Sequence, residues 1–173
     1  MRVERAFAAV IAVVAATACS QTVGGTAERT RPRVPDPDRS FGYVDKRCGL
    51  LHDETIQQLL DAESIVKPFS GAVCQYVLTT EEGLVDIVFS WFETGSFDRE
   101  RDVAADRGSR ITDNDVERHP AFVAQRPDNP NACAATAGAG PGVLTWWVQF
   151  RPAADDPCEA AQKLLSATLS ADL

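Results

Sequence analysis

The stretch VLTWWVQF, residues 143–150, decides the fold. Six of these eight residues are β-branched or aromatic and no helix-period stripe runs through them, so the stretch reads as a strand. Successive side chains of a strand point to opposite faces, so Trp146 and Trp147 must part company. Leu144, Trp146, Val148 and Phe150 then form a wholly apolar face, which belongs in a core. The other face carries Val143, Thr145, Trp147 and Gln149. The segment LVDIVFSWF, residues 84–92, repeats the pattern. Val85, Ile87, Phe89 and Trp91 fall on one side, with Leu84, Val88 and Phe92 on the other. Both faces of the central strands are therefore at least partly apolar. Helices covering both faces account for this structurally. The functional reading is a groove on the second face, lined by Trp147, Thr145 and Gln149, that takes a lipid, glycolipid or peptide.

Working outward, AVCQYVLT (72–79), the turn around Gly83 and residues 84–92 predict a β-hairpin. Before it, CGLLHDETIQQLLDAE places Ile56, Leu59 and Leu60 at helical spacing from Cys48, with Asp53 and Glu54 suited to a first turn. Pro68 and Gly71 interrupt the chain between this helix and the hairpin. SFDRERDVAADRG predicts a short surface helix capped by Ser96 and stopped by Gly108. Residues 119–126 and 132–137 read as weaker strands around the turn-rich PDNPN, and AGAGPG (137–142) as a loop. In DDPCEAAQKLLSATLSADL, Asp155 or Asp156 caps a terminal helix with Pro157 in its first turn and Leu164, Leu165, Thr168 and Leu169 on its buried stripe. The expected class is α+β: one domain, an antiparallel β-sheet packed with N- and C-terminal helices and stapled by two disulfides.

The N-terminus reads as an address. Arg2 and Arg5 precede an apolar run from Ala6 to Ala18, which is too short to span a bilayer, where roughly 20 residues are needed. The run ends Ala16-Thr17-Ala18-Cys19, which resembles a bacterial lipobox, although Ala16 stands where leucine is usual. The expectation is a signal peptide over 1–18, a lipidated Cys19 heading a disordered tether over 19–44, and a folded domain over 45–173. The tether follows from its three glycines, three prolines and scarce apolar residues between Ser20 and Val44. Acyl chains on Cys19 would hold the protein at the outer face of the cell membrane, since two or more chains give stable anchoring. Cysteine arithmetic agrees: of five cysteines, giving Cys19 to lipid leaves the even set Cys48, Cys74, Cys133 and Cys158.

Four cysteines allow three pairings. Cys48 opens the first helix and Cys158 the last, so one bridge could tie the helices together; Cys74 and Cys133 lie in strands and could join neighbours. The formal net charge of −8 removes the electrostatic case for binding nucleic acid.

Cys48-Gly-Leu-Leu opening a helix, Cys74-Gln75-Tyr76, Cys133 in a strand before a glycine-rich turn, and Asp156-Pro157-Cys158 opening the terminal helix together resemble the uncharacterised actinobacterial lipoproteins typified by mycobacterial LprB and LprC. The resemblance spans roughly residues 48 to 170 and departs at Lys46-Arg47, where that family more usually has Asp-Pro. It implies a surface-anchored, disulfide-bonded domain, supports the nested pairing Cys48–Cys158 with Cys74–Cys133, and implies no reaction.

Catalytic signatures are missing from the sequence: no Gly-x-Ser-x-Gly elbow, phosphate loop, His-Glu-x-x-His or Cys-His pattern occurs. Gly138, Gly140 and Gly142 precede a strand instead of opening a helix, so they are a turn and not a dinucleotide fingerprint. His52 sits at a helix-cap position, and His119, before Pro120, is expected at an exposed strand edge. Asp113 and Asp115 alternate with Thr112 and Asn114 but lack the glycine and distal glutamate of a calcium loop, so a solvated acidic turn is expected. The sequence thus points to a non-catalytic envelope protein without cofactor or metal. Its expected role is binding or sensing an apolar envelope molecule, or alternatively supporting an envelope complex through a protein partner.

Overall fold

A computed structural model of the chain describes Cys48, residues 50–71 and residues 73–171. The expected signal peptide, the lipidation site at Cys19 and the tether lie outside these residues. The described elements run α1 (Asp53–Leu59), β1 (Ser64–Ser70), β2 (Val73–Thr80), β3 (Gly83–Phe92), α2 (Phe97–Asp106), β4 (Arg110–Val116), β5 (His119–Gln125), β6 (Ala132–Ala139), β7 (Gly142–Arg151) and α3 (Pro157–Ser170). The strands form one seven-stranded antiparallel sheet in the order β1-β2-β3-β7-β6-β5-β4. The α+β class is as the sequence reads.

The VLTWWVQF strand is central. As β7 it pairs with β3 along its full length, Val88 opposite Trp147 and Phe89 opposite Trp146, and with β6 on its other side. On the first face, Val85, Ile87, Phe89, Trp91, Leu144, Trp146 and Val148 are buried under Ile56 and Leu60 from the α1 end and Ala161, Leu164, Leu165 and Leu169 of α3. Trp146 anchors this layer. Its ring lies 4.8 Å from that of Phe89, and its indole N–H donates to the Thr168 hydroxyl at 2.8 Å. That hydroxyl donates in turn to the Leu164 carbonyl at 2.8 Å, so a polar pair with no exposure to solvent is satisfied within α3 and β7. Asp156 caps α3 by accepting from the amides of Cys158 and Glu159, and Pro157 fills its first turn.

Two strands were not legible as strands. β1 contains Pro68, and the register with β2 shifts between Val66 and Phe69; a proline is tolerated there because β1 is an edge strand. β4, the segment read as an acidic turn, is the opposite edge. Its pairing with β5 overturns a second expectation. His119 is not exposed at an edge but 3% accessible, with Nδ1 3.0 Å from the Gly138 carbonyl oxygen. The glycine-rich loop is tighter than expected: β6 runs to Ala139, and a Cβ on Gly142 would collide with the Phe92 carbonyl oxygen.

The two disulfides pair sequentially and correct the nested expectation. Cys48 bonds Cys74 and Cys133 bonds Cys158, closing separations of 26 and 25 residues. The sheet order gives the reason. Cys74 on β2 and Cys133 on β6 are separated by β3 and β7, so their strands lie about 14 Å apart, while a disulfide requires Cα atoms within about 7 Å. Each cysteine finds instead the helix-side segment directly above it.

Candidate functional site: the open face of the sheet

Among the described residues, the second face of the sheet has a helix over one end only. There α2 leans on β4 and β5, Phe97 meeting Phe122 edge-on at 5.4 Å and Arg101 clasping Asp113 through two bonds of 2.7 Å. That clasp pulls the Asp113 carboxyl below its ordinary range, first through the hydrogen bonds. Ser96 caps α2, and Gly108 follows it at φ +82°. Both α1 and α3 pack on the first face.

Over β1, β2, β3 and β7 the second face has no helix among the described residues. Val66, Phe69, Leu84 and Phe92 are 60, 48, 38 and 48% exposed, and the pairing puts all four on this face. Val77, Val88 and Trp147 lie half-buried between them. Phe69, Gln75, Val88 and Trp147 form one row across four strands. The polar members are Ser64, Gln75, Thr79, Ser90, Thr145 and Gln149, and the charged ones are Asp86 and Arg151, which bond each other at 2.8 Å. Thr145 and Gln149, expected beside Trp147, flank it on β7, and the Thr145 hydroxyl sits 2.9 Å from that of Thr136. Chemically this surface offers apolar contact together with hydroxyl and amide hydrogen bonds, and its one carboxylate, Asp86, is paired with Arg151.

The remaining candidates fall elsewhere. His52 is exposed at the N-cap position of α1, where its side chain makes no capping bond. His119 is buried in β5. Asp113 and Asp115 belong to β4, and among the described residues no group of three or more His, Cys, Asp or Glu is placed to hold a metal ion. Tyr76 is buried beneath Lys67, whose ammonium lies 5.1 Å from its ring, and its hydroxyl donates to the Cys48 carbonyl; burial first, then Asp53, pushes the phenol far up. One feature escaped sequence reasoning. A cleft of about 830 Å³ opens where α1, the β2–β3 turn and Asp155 converge, lined by Glu54, Asp61, Glu63, Glu81 and Glu82. Its carboxylates come from three separate segments, so no local pattern announces it. A smaller cleft beside it runs between α1 and α3. Neither is lined by Trp147.

Residues 14–171 match the family model described as "Protein of unknown function (DUF3558)". The chain belongs to this family. The match takes in Cys19, all four disulfide cysteines and every described element. No curated protein and no solved structure matches the chain. Among the described residues no helix is long and apolar enough to cross a membrane.

Proposed function

We propose that this chain is a non-catalytic, lipid-anchored protein at the outer face of the cell membrane, and that it works by docking a protein partner on the open face of its sheet. The observation that carries this reading is that Val66, Phe69, Leu84 and Phe92 are all exposed on the one face that also holds Val77, Val88 and Trp147. Monomeric proteins rarely leave contiguous apolar patches beyond a few hundred Å² without a use for them. The absence of a helix over this part of the sheet among the described residues favours a protein over a small apolar molecule: ligand pockets enclose about 70–90% of a small molecule, whereas one sheet face covers one side of it.

Anchoring is supported by the small-residue run before Cys19, by the even set of cysteines once Cys19 is set aside, and by the likeness in motif spacing to the lipoproteins LprB and LprC. The family match beginning at residue 14 includes that run. Two disulfides suit an exported domain.

The test is photo-crosslinking from position 88, at the centre of the face, in membranes of an actinobacterial host, paired with native mass spectrometry of the purified chain. Covalent protein adducts that vanish in the Trp147→Glu variant are expected. A lipid released from the wild-type chain, with no protein adduct, would replace docking by ligand carriage.

A further inference from the structure

The occupant of the open face can be narrowed from its dimensions, charge and register. Four strands at about 4.8 Å spacing make it roughly 19 Å wide, and eight residue steps from Leu84 to Phe92 make it about 27 Å long. β1 and β2 stop short of the Phe92 end, which leaves about 440 Å² per copy, so two such faces pressed together remove about 900 Å² from solvent, the size of a weak, reversible interface. The chain as a whole is strongly acidic, at −8, and two copies repel over most of their surfaces. This face is the exception, because its two charges, Asp86 and Arg151, neutralise each other within one molecule.

We infer that the open face is an isologous interface between two copies of this chain, an inference that rests on reading that face as a docking surface. A two-fold axis parallel to the strands, between β2 and β3, lays β1 of each copy over β7 of the other. Such an axis keeps every row in place, and Phe69 and Trp147 end the same row. Phe69 of one copy therefore covers Trp147 of the other, twice, which pairs the largest exposed ring of β1 with the half-buried indole of β7. The sheets stack at about 10 Å, as in a β-sandwich, with α1 and α3 outermost. The axis also leaves both Cys48 residues at the same end of the pair, because each is tied to Cys74 near the start of β2. Two chains leading from one end suit two anchors in one membrane.

The experiment uses the full chain, acylated and oxidised in the host membrane, with a benzoylphenylalanine replacing Phe69. The expected product is a covalent homodimer in which position 69 is joined to the strand carrying Trp147. Trp147→Glu should reduce that product at least about tenfold with an unchanged native circular dichroism spectrum, and Trp147→Gln should reduce it less. Adducts from position 69 to a different protein, without homodimer, would overturn the two-fold interface and leave the docking face standing. No adduct of any kind, with a properly folded chain, would overturn both.

Discussion

Trp146 and Trp147 are neighbours in sequence and opposites in environment, and replacing each by phenylalanine measures the difference between the two faces. Trp146 is 1% exposed, stacks near Phe89 and donates to Thr168. Its replacement forfeits one buried hydrogen bond, about 1 kcal/mol, while Thr168 keeps its own bond to Leu164. It also removes part of the ring volume. Full truncation of a buried Trp or Phe costs about 3–5 kcal/mol, and a partial one about 1–2 kcal/mol. The sum for Trp146→Phe is about 2–3 kcal/mol. Trp147 is half-buried beside Val88 on a face where no helix of the described residues lies above it, so Trp147→Phe should cost less than about 1 kcal/mol. Urea unfolding of the oxidised chain followed by far-UV circular dichroism reads both values. Equal costs for the two replacements would refute the reasoning, because they would mean that the second face is packed like the first.

Non-reducing peptide mapping should recover Cys48 joined to Cys74 and Cys133 joined to Cys158; a Cys48–Cys158 peptide would overturn the sequential pairing. Replacing Cys133 and Cys158 together by serine opens a 25-residue loop and should lower the unfolding free energy by about 3–4 kcal/mol on the chain-entropy account, read as a fall in the urea midpoint. Arg101→Gln should let the Asp113 carboxyl titrate higher, as seen by NMR. Since Asp113 is depressed in the folded chain, its contribution is present above the ordinary carboxylate range and fades as pH falls through the lowered value, so the variant should lose that acid-side dependence. An unchanged Asp113 titration would show that the clasp with Arg101 does not hold in solution.

How much of the fold the sequence revealed depended on how local each determinant is. The β2–β3 hairpin, β7 and the capped helix α3 carry their own periodicity and punctuation, and each forms close to where it is read. The edge strands do not. β1 is exposed along most of its length and contains Pro68, and β4 alternates acidic and small polar residues, so neither shows a hydrophobic period. Missing β4 also misplaced His119, whose burial depends on the strand beside it. The disulfide partners depend on strand order, and no local pattern encodes that order. For the site, the apolar character of the second face was legible from Leu84, Val88, Phe92 and Trp147. Its openness was not. That depended on where three helices dock, and on Val66 and Phe69, which belong to the unread strand.

The openness of that face is the central claim, and acrylamide quenching of tryptophan fluorescence tests it most directly. The chain holds three tryptophans, and Trp91 and Trp146 are each 1% exposed, so quenching of the native protein reports Trp147. In dilute, non-acylated Cys19→Ser chain, the account predicts one accessible class of emission that disappears in Trp147→Phe and becomes protected as concentration rises. Native emission that resists acrylamide at every concentration down to the monomer would mean that the second face is closed, and would contradict the account.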